Sequence, residues 1–407
     1  MQKNQMLIVQ KYGGTSMGDC ERIQNVANKI QQTLQTRKCR LVVVVSAMGG
    51  ETDKLLGFAH HFSNLPNTRE VDMMLSAGER VSSALLAIAL ESMGIKAISL
   101  SGRGAGIITE NLHTKARIKR IDTSHIQKLL SDNFVVIVAG FQGVSEKDEV
   151  TTLGRGGSDL SAVALAGALN ADICEIYSDV DGIYTTDPRI ESKAKKIEKI
   201  SYDEMLELAS MGAKVLLNRS VELAKKLSVK LVSKSSFTQG EGTIITNEED
   251  IMEKPIVSGV ALDKNQARVS IVDVADRPGI AAEIFGVLAQ SNINVDMIVQ
   301  TIGRDGKTDI DFTIPQTEVE LAKNVLECFK RDVGSIEYDC DIAKVSIVGV
   351  GMKSHTGVAS IAFNALAKDN INIMMIGTSE IKISVIVDIK YAELAVRVLH
   401  SVYELDK

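Results

Sequence analysis

The last third of the chain is written twice. ARVSIVDVADRPGIAAEIFGVLAQSNINVDMIVQ starts at Ala267, and AKVSIVGVGMKSHTGVASIAFNALAKDNINIMMIG starts at Ala343. The copies are read as aligning without a gap at an offset of 78, with Gly279 on Gly357, Phe285 on Phe363, Leu288 on Leu366, Ile293-Asn294 on Ile371-Asn372 and Met297 on Met375. A repeat of this length is one supersecondary unit used twice. Each copy reads as strand, turn, helix and strand, then a further strand (DIDFTI or KISVIVDI) and a helix, which is a β-α-β-β-α-β plan. The first copy has a sixth element, SIEYD, that the second lacks. A spare strand, PIVSGVALD, precedes the first copy, and its stretch Ile256–Leu262 is expected to fill the vacant sheet position.

The remaining two thirds obey a different grammar. The 407 residues are too many for one ordinary core. Short apolar runs at Met6–Val9, Leu41–Val45 and within NFVVIVAGFQG alternate with amphipathic stretches such as Asp19–Thr36. This predicts a parallel sheet buried by helices on both faces. Asn67–Met93 reads as a helix with a break near Ser76–Arg80, because an internal glycine, Gly78, costs about 1 kcal/mol against alanine. Either a ligand or tight packing must require that glycine. Helices are also expected at about Ser201–Ser210 and Ala213–Lys226. The charged stretch Asn247–Pro255 reads as a linker.

Small polar groups collect where strands end. Lys11, Gly13, Gly14, Thr15 and Ser16 follow the first strand, and Ser46 and Thr52 follow the second. Thr151–Arg189 concentrates this chemistry: TTLGRGGSDLSAVALAGALNADICEIYSDVDGIYTTDPR. Gly154, Gly156 and Gly157 make a turn around Arg155, Ser158 and Asp159 stand at the expected N-cap, and a helix follows. Free N–H groups and the positive dipole end make such a turn an anion site. Arg155 adds a planar fork for carboxylate or phosphate. The next strand ends at Ser178 and Asp179, and ligands in open α/β sheets lie at such carboxyl ends.

With a net charge of −6, the chain lacks the clustered basic surface that nucleic-acid binding needs. Five scattered cysteines without a C-x-x-C pair predict reduced thiols and a cytoplasmic setting. No export signal is read at the start, and no apolar run is read as a membrane span. His60-His61 has no acidic partner at ligand spacing, so no dedicated metal site is expected.

KYGGTSM (Lys11–Met17), SAMGGETDKL (Ser46–Leu55), Gly78-Glu79-Arg80, GRGGSD (Gly154–Asp159) and YSDVDGIYTTDPR (Tyr177–Arg189) together closely resemble the aspartokinase family, in its short monofunctional form. Order and spacing match over essentially the whole chain. The resemblance implies an α/β fold: an amino-acid-kinase-type, parallel-rich sheet sandwiched by helices, then two ferredoxin-like ACT domains. The implied boundaries are a kinase domain at 1–246, a joining linker and strand at 247–262, and ACT domains at 263–341 and 342–407. It also implies the reaction: ATP phosphorylates the side-chain carboxylate of L-aspartate to give 4-phospho-L-aspartate. This is the first step toward lysine, threonine, methionine and diaminopimelate.

Site roles follow from the family motifs. Lys11 stabilises charge on the transferred phosphoryl group, and Asp159 orients Lys11 or helps organise the centre. Arg155 clamps the aspartate α-carboxylate and Glu79 its amino group, with Ser46, Thr52 and Ser158 completing the pocket. Lys11, Gly13, Gly14, Thr15, Ser178, Asp179, Tyr184, Asp187, Arg189 and Lys214 are the ATP residues, and Mg²⁺ comes with the nucleotide. As a residue in its own right, Asp187 also reads as a turn residue before Pro188. Effector candidates are Asp276, Gly279, Ile280, Ala281, Asn294, Asp296 and Gln300 in the first ACT copy. In the second they are His355, Gly357, Val358, Asn372, Ser379 and Glu380, with Ile280 and Val358 also readable as core. Lysine, threonine or both are the implied inhibitors. The implied assembly is a homo-oligomer through ACT domains, with Met252 a possible start of a separate regulatory subunit. The competing readings are a kinase of the same fold acting on glutamate, N-acetylglutamate, carbamate or a nucleoside monophosphate, and an amino-acid sensor with a dead kinase half.

Overall fold

The computed structural model describes residues 5–210, 216–251, 255–302, 306–330 and 332–407. They form two compact units. The first holds the described residues of Met1–Ile183, Lys196–Ala209 and Lys214–Met252; the second holds those of Tyr184–Lys195, Ser210–Ala213 and Glu253–Lys407.

The first unit begins with β1 (Leu7–Tyr12), α1 (Cys20–Arg37), β2 (Arg40–Val45), α2 (Glu51–Phe62) and α3 (Thr68–Ser92). There follow β3 (Ala97–Leu100), β4 (Ile107–Thr109), β5 (Ile118–Ile121), α4 (Ser124–Ser131), β6 (Val135–Ala139), β7 (Gln142–Ser145) and β8 (Val150–Thr152). It ends with α5 (Gly157–Ala168), β9 (Ile173–Ser178), β10 (Lys199–Ser201), α6 (Tyr202–Ser210), α7 (Asn218–Leu227), β11 (Leu231–Ser235) and β12 (Thr243–Thr246). The main sheet has the order β10-β12-β11-β9-β1-β2-β6-β3 and is parallel except where β11 meets β12. A smaller sheet has the order β5-β4-β7-β8.

The sheet is buried on both faces, which is why its central strands read as unbroken apolar runs. Ile23, Val26, Ala27 and Ile30 recur at helical spacing on α1 and close over Ile8, Leu41, Val43 and Val45, beside Leu86 and Leu90 of α3. Asp19 starts α1 by accepting a hydrogen bond from Arg22 N at 2.8 Å. On the opposite face α5 lies across β1, β2 and β9, with α7 packed on it. Enclosed on both sides, α5 is apolar nearly all round.

Two expectations are corrected. α3 runs unbroken through Gly78, and an added Cβ there would meet the Ala47 side chain at 2.8 Å. Close packing therefore requires the glycine, and the helix needs no break. α3 is also long and apolar enough by composition to cross a membrane, which the sequence reading did not register. Its inner face buries Asp72, Ser76, Glu79, Ser82 and Ser83, the pattern of a core helix that carries a polar site.

The second unit contains β13 (Gly259–Ala275), α8 (Ile280–Gln290), β14 (Ile298–Ile302), β15 (Lys307–Pro315), α9 (Val319–Leu326) and β16 (Ser335–Val348). α10 (Val358–Lys368), β17 (Met375–Thr378), β18 (Lys382–Asp388) and α11 (Ala392–Val402) complete it. One sheet of order β14-β15-β13-β16-β18-β17 serves both copies. The spare strand runs straight on into the first strand of the first copy, forming β13. Its early residues lie beside the second copy: Gly259 pairs with Val348, Val260 with Ile347 and Leu262 with Val345. Likewise the sixth element of the first copy runs on as the first strand of the second, forming β16. The register breaks between Asp263 and Arg268, where β13 passes from one copy to the other.

Each copy keeps its own core. Leu288 and Leu366, and Ile293 and Ile371, occupy matching buried places. The offset of 78 holds from the helices onward, whereas the first strands match at 76, Ala267 on Ala343. The turn of 3-10 helix at Val350–Ser354 accommodates the two extra residues.

Candidate active site

Four neighbouring parallel strands end at one level. Tyr12 pairs with Val45 on one side and Tyr177 on the other, and Val45 pairs with Ala139. Gly13, Ser46, Gly140 and Ser178 therefore leave the sheet side by side, at the edge where α/β sheets bind ligands. Backbone bonds continue past the strand ends: Ser46 N donates to Tyr12 O and Gly140 N to Val45 O, both at 3.0 Å.

Side chains alternate along β1, so Lys11 shares a face with Leu7 and Val9 and points toward α5. Its Nζ lies 2.5 Å from Asp159 Oδ1, and both side chains are nearly buried. Asp159 stands in the first turn of α5, where the helix dipole favours negative charge. The N-cap is Gly156, however, and not Ser158 or Asp159. Gly154 and Gly156 have φ of 79° and 70°, left-handed values that bend the chain into the helix before Ser158 is reached. Ser158 is buried, while Arg155 is exposed and unpaired among the described residues.

Glu79 projects from α3 toward the turn after β2. It is 3% exposed. Oε1 accepts a hydrogen bond from Ala47 N at 3.2 Å, and Oε2 has no partner among the described residues. Burial pushes this carboxyl up to about 7, against the pull of its backbone hydrogen bonds. A buried oxygen left unpaired in this way suits a cationic ligand group. Ser46 and Thr52 lie half-buried, Thr52 in the first turn of α2.

Gly13 N reaches Tyr177 O at 3.2 Å, tying the first turn to the end of β9. Gly14 and Thr15 lie in that turn, and Thr15 is exposed. Ser178 Oγ turns the chain by accepting from Val180 N at 3.3 Å, and Asp179 is exposed. Tyr184, Asp187 and Arg189 belong to the second unit. Asp187 takes a forked hydrogen bond from Arg189 and caps the turn through Arg189 N at 2.9 Å. The arginine holds the Asp187 carboxyl below its usual range. The side chain of Arg189 is 90% exposed. Lys214 and Met252 lie outside the described residues.

In the second unit Gly279 and Gly357 cap α8 and α10 in matching left-handed conformations. Ile280 and Val358 are core residues. Asp276 N bonds to Gly306 O, and Asn294 N to Glu318 Oε2. The Asp296 carboxylate is paired with buried Lys344. Gln300 lies on edge strand β14, and Ala281 in the first turn of α8. His355 Nδ1 lies 2.8 Å from Gly351 O. Ser379 and Glu380 form the exposed turn between β17 and β18, and Asn372 is exposed before β17.

Two supporting residues were missed. Arg219, given no weight in the sequence, donates to Leu153 O at 2.9 Å and braces the glycine turn from α7. Asp72 is a fully buried acid on α3. Its signal was present: an acid seven residues before Glu79, hence on the same helical stripe.

Comparison with known proteins identifies the family of each part of the chain. Residues 6–233 match the amino acid kinase family, and residues 268–334 and 345–403 each match an ACT domain. The aspartokinase of Helicobacter pylori strain J99 is 68% identical over 406 residues, covering 99% of this chain and 100% of that protein. The chain belongs to the aspartokinase family. Among solved structures, E. coli aspartokinase III in complex with aspartate and ADP (R-state) aligns with a TM-score of 0.79 at 27% identity, covering 97% of this chain and 99% of that one. The same enzyme with lysine and aspartate (T-state) aligns with the same score, identity and coverage. The expected fold, an amino-acid kinase followed by tandem ACT units, is the fold observed.

Proposed function

We infer that the aligned strand ends of the first unit form the phosphoryl-transfer centre of an aspartate kinase. The chain phosphorylates the side-chain carboxylate of L-aspartate at the expense of ATP. A carboxylate is already ionised near neutral pH, so the nucleophile needs no general base. The work is positioning and charge neutralisation. Lys11 neutralises charge on the transferred phosphoryl group while Asp159 holds Lys11 in place. Glu79 receives the substrate ammonium, Arg155 the α-carboxylate, and Ser46, Thr52 and Ser158 complete the pocket. The observation that carries this reading is the buried, unpartnered Oε2 of Glu79 on the same rim as the Lys11–Asp159 pair.

ATP is assigned to Gly13, Gly14, Thr15, Ser178 and Asp179, with Tyr184, Asp187, Arg189 and Lys214 proposed by motif alone. The complex of the E. coli relative with aspartate and ADP supports the substrate pair. Among the described residues, no three His, Cys, Asp or Glu side chains converge to hold a metal. Mg²⁺ is proposed to arrive with the nucleotide, held mainly by phosphates and water. No step is assigned to it.

For regulation we propose that an end-product amino acid binds at the Gly279 and Gly357 junctions and favours the less active arrangement. The lysine-bound T-state of the E. coli relative supports lysine as one such ligand. Threonine, the pathway toward lysine, threonine, methionine and diaminopimelate, a homo-oligomer through the ACT sheets, the cytoplasmic setting and the boundaries 1–246, 247–262, 263–341 and 342–407 belong to the same proposal. The test is ADP release with Mg-ATP and L-aspartate, with glutamate and N-acetylglutamate in parallel, and with lysine or threonine added. Aspartate-dependent turnover that is lost in Lys11→Ala is expected. Turnover with glutamate in place of aspartate would overturn the substrate.

A further inference from the structure

Asp72 precedes Glu79 by two helical turns and shares its buried stripe on α3. Its exposure is zero. A carboxylate is tolerated there only if its oxygens are hydrogen-bonded. Thr152 Oγ1 donates to Oδ1 at 2.5 Å. Thr114 N lies 3.1 and 3.0 Å from the two oxygens, and His113 Nδ1 lies 2.9 Å from Oδ2.

These partners flank the glycine turn that carries Arg155. Thr152 ends β8, two residues before Gly154. Thr114 O presses against Gly154 from the other side, 3.1 Å from where a Cβ would stand. Ala116 N donates to Thr152 O at 2.9 Å and joins the two flanks. Thr114 also holds a φ of 66°, a left-handed conformation that a β-branched residue adopts only when its surroundings impose it. The strain sits at the point where the Asp72 carboxylate takes the Thr114 N–H.

We propose that Asp72 is a positioning residue for the amino-acid substrate. It locks the Arg155 turn to the helix that bears Glu79, so that the α-carboxylate clamp and the ammonium anchor stand at a set separation. The inference rests on the roles given above to Arg155 and Glu79. With both anchors set by one buried carboxylate, the α-carbon of the substrate is placed and its side-chain carboxylate is carried toward Lys11. Loosening the tie weakens both α-group contacts together and leaves the nucleotide contacts intact.

The test uses the full chain and steady-state kinetics in both substrates. Thr152→Val keeps shape and removes only the hydroxyl, Thr152→Ser keeps the hydroxyl, and Asp72→Asn removes the charge. Loss of a hydrogen bond to a charged group predicts a rise of about tenfold in KM for L-aspartate in Thr152→Val. KM for ATP is expected to stay within about twofold, and Thr152→Ser to behave as wild type. A folded Thr152→Val enzyme with an unchanged KM for aspartate overturns the proposal, as does an equal rise in both KM values. Should Asp72→Asn fail to fold, Thr152→Val decides alone. Arg155→Ala separates the two levels. If it raises KM for aspartate and Thr152→Val does not, positioning by Asp72 is wrong; if neither does, the clamp itself is wrong and the proposal falls with it.

Discussion

Lys11 Nζ and Asp159 Oδ1 lie 2.5 Å apart, bridging the end of a buried strand and the first turn of a buried helix. The strand alternation aims Lys11 at α5, where Asp159 stands in the first turn of the helix. The pair puts a fixed positive charge beside the strand ends without leaving it unpaired. Lys11→Met keeps the stem and removes the charge. It is expected to lower kcat by roughly 10²–10³, the effect of losing one preorganised transition-state donor. KM for aspartate should change far less, and steady-state rates at saturating ATP check both numbers.

Glu79 sets a pH dependence. Burial raises its folded-state value from 4.5 to about 7, so the folded chain holds a proton there that the unfolded chain has released. Its contribution to stability therefore falls as pH rises from 4.5 toward 7, then levels off. Binding an ammonium requires the ionised form. kcat/KM for aspartate should accordingly rise through an apparent pKa near 7 and level above it. Glu79→Gln should remove that limb and leave a low, pH-independent value. A profile unchanged by the substitution would contradict the assignment.

Gly78→Ala tests packing against propensity. Alanine would favour the helix by about 1 kcal/mol. Its Cβ would stand 2.8 Å from the Ala47 side chain, in the turn whose N–H holds Glu79. Overpacking of this kind costs about 1–3 kcal/mol, so a net loss of stability is expected. Denaturant titration measures it, and KM for aspartate should rise alongside because Ala47 N moves off Glu79.

His400 offers a second pH probe, in the second unit. Its Nε2 lies 2.9 Å from Thr185 Oγ1, and burial lowers its pKa, with Glu191, Asp406 and Lys193 acting as smaller influences. The unfolded chain thus takes up a proton near 6.5 that the folded chain resists. Stability at this site should be complete above that pH and decline as pH falls below it. Amide exchange in α11, corrected for intrinsic rate, should accelerate at pH 5.5 relative to pH 7.5, values about one unit either side of an ordinary histidine. His400→Gln should flatten the difference.

Several features were legible because local chemistry decides them. The twofold repeat, the alternation of strand and helix and the glycine turn before α5 all leave periodic or compositional marks. Even the spare strand could be assigned its sheet position from the one place left open. Where the reading failed, a distant neighbour was responsible. Gly78 looked like a helix break because Ala47, thirty-one residues earlier, cannot be seen from within the helix. Ser158 and Asp159 looked like N-caps because side-chain preference names them, but two left-handed glycines start the helix earlier.

The sequence by itself determined the family, the two kinds of architecture and the cast of charged residues, since these reside in motif, period and residue type. Only the tertiary structure decided which charges meet. Lys11 and Asp159 are far apart in the chain and become partners because strand pleat and helix packing aim them at one point. Glu79 becomes a carboxyl that titrates near 7 only through burial. Asp72 becomes the tie between α3 and the glycine turn only when β8 and the 113–114 segment fold around it. Desolvation and long-range contact are properties of the packed chain, and no local stretch of residues contains them.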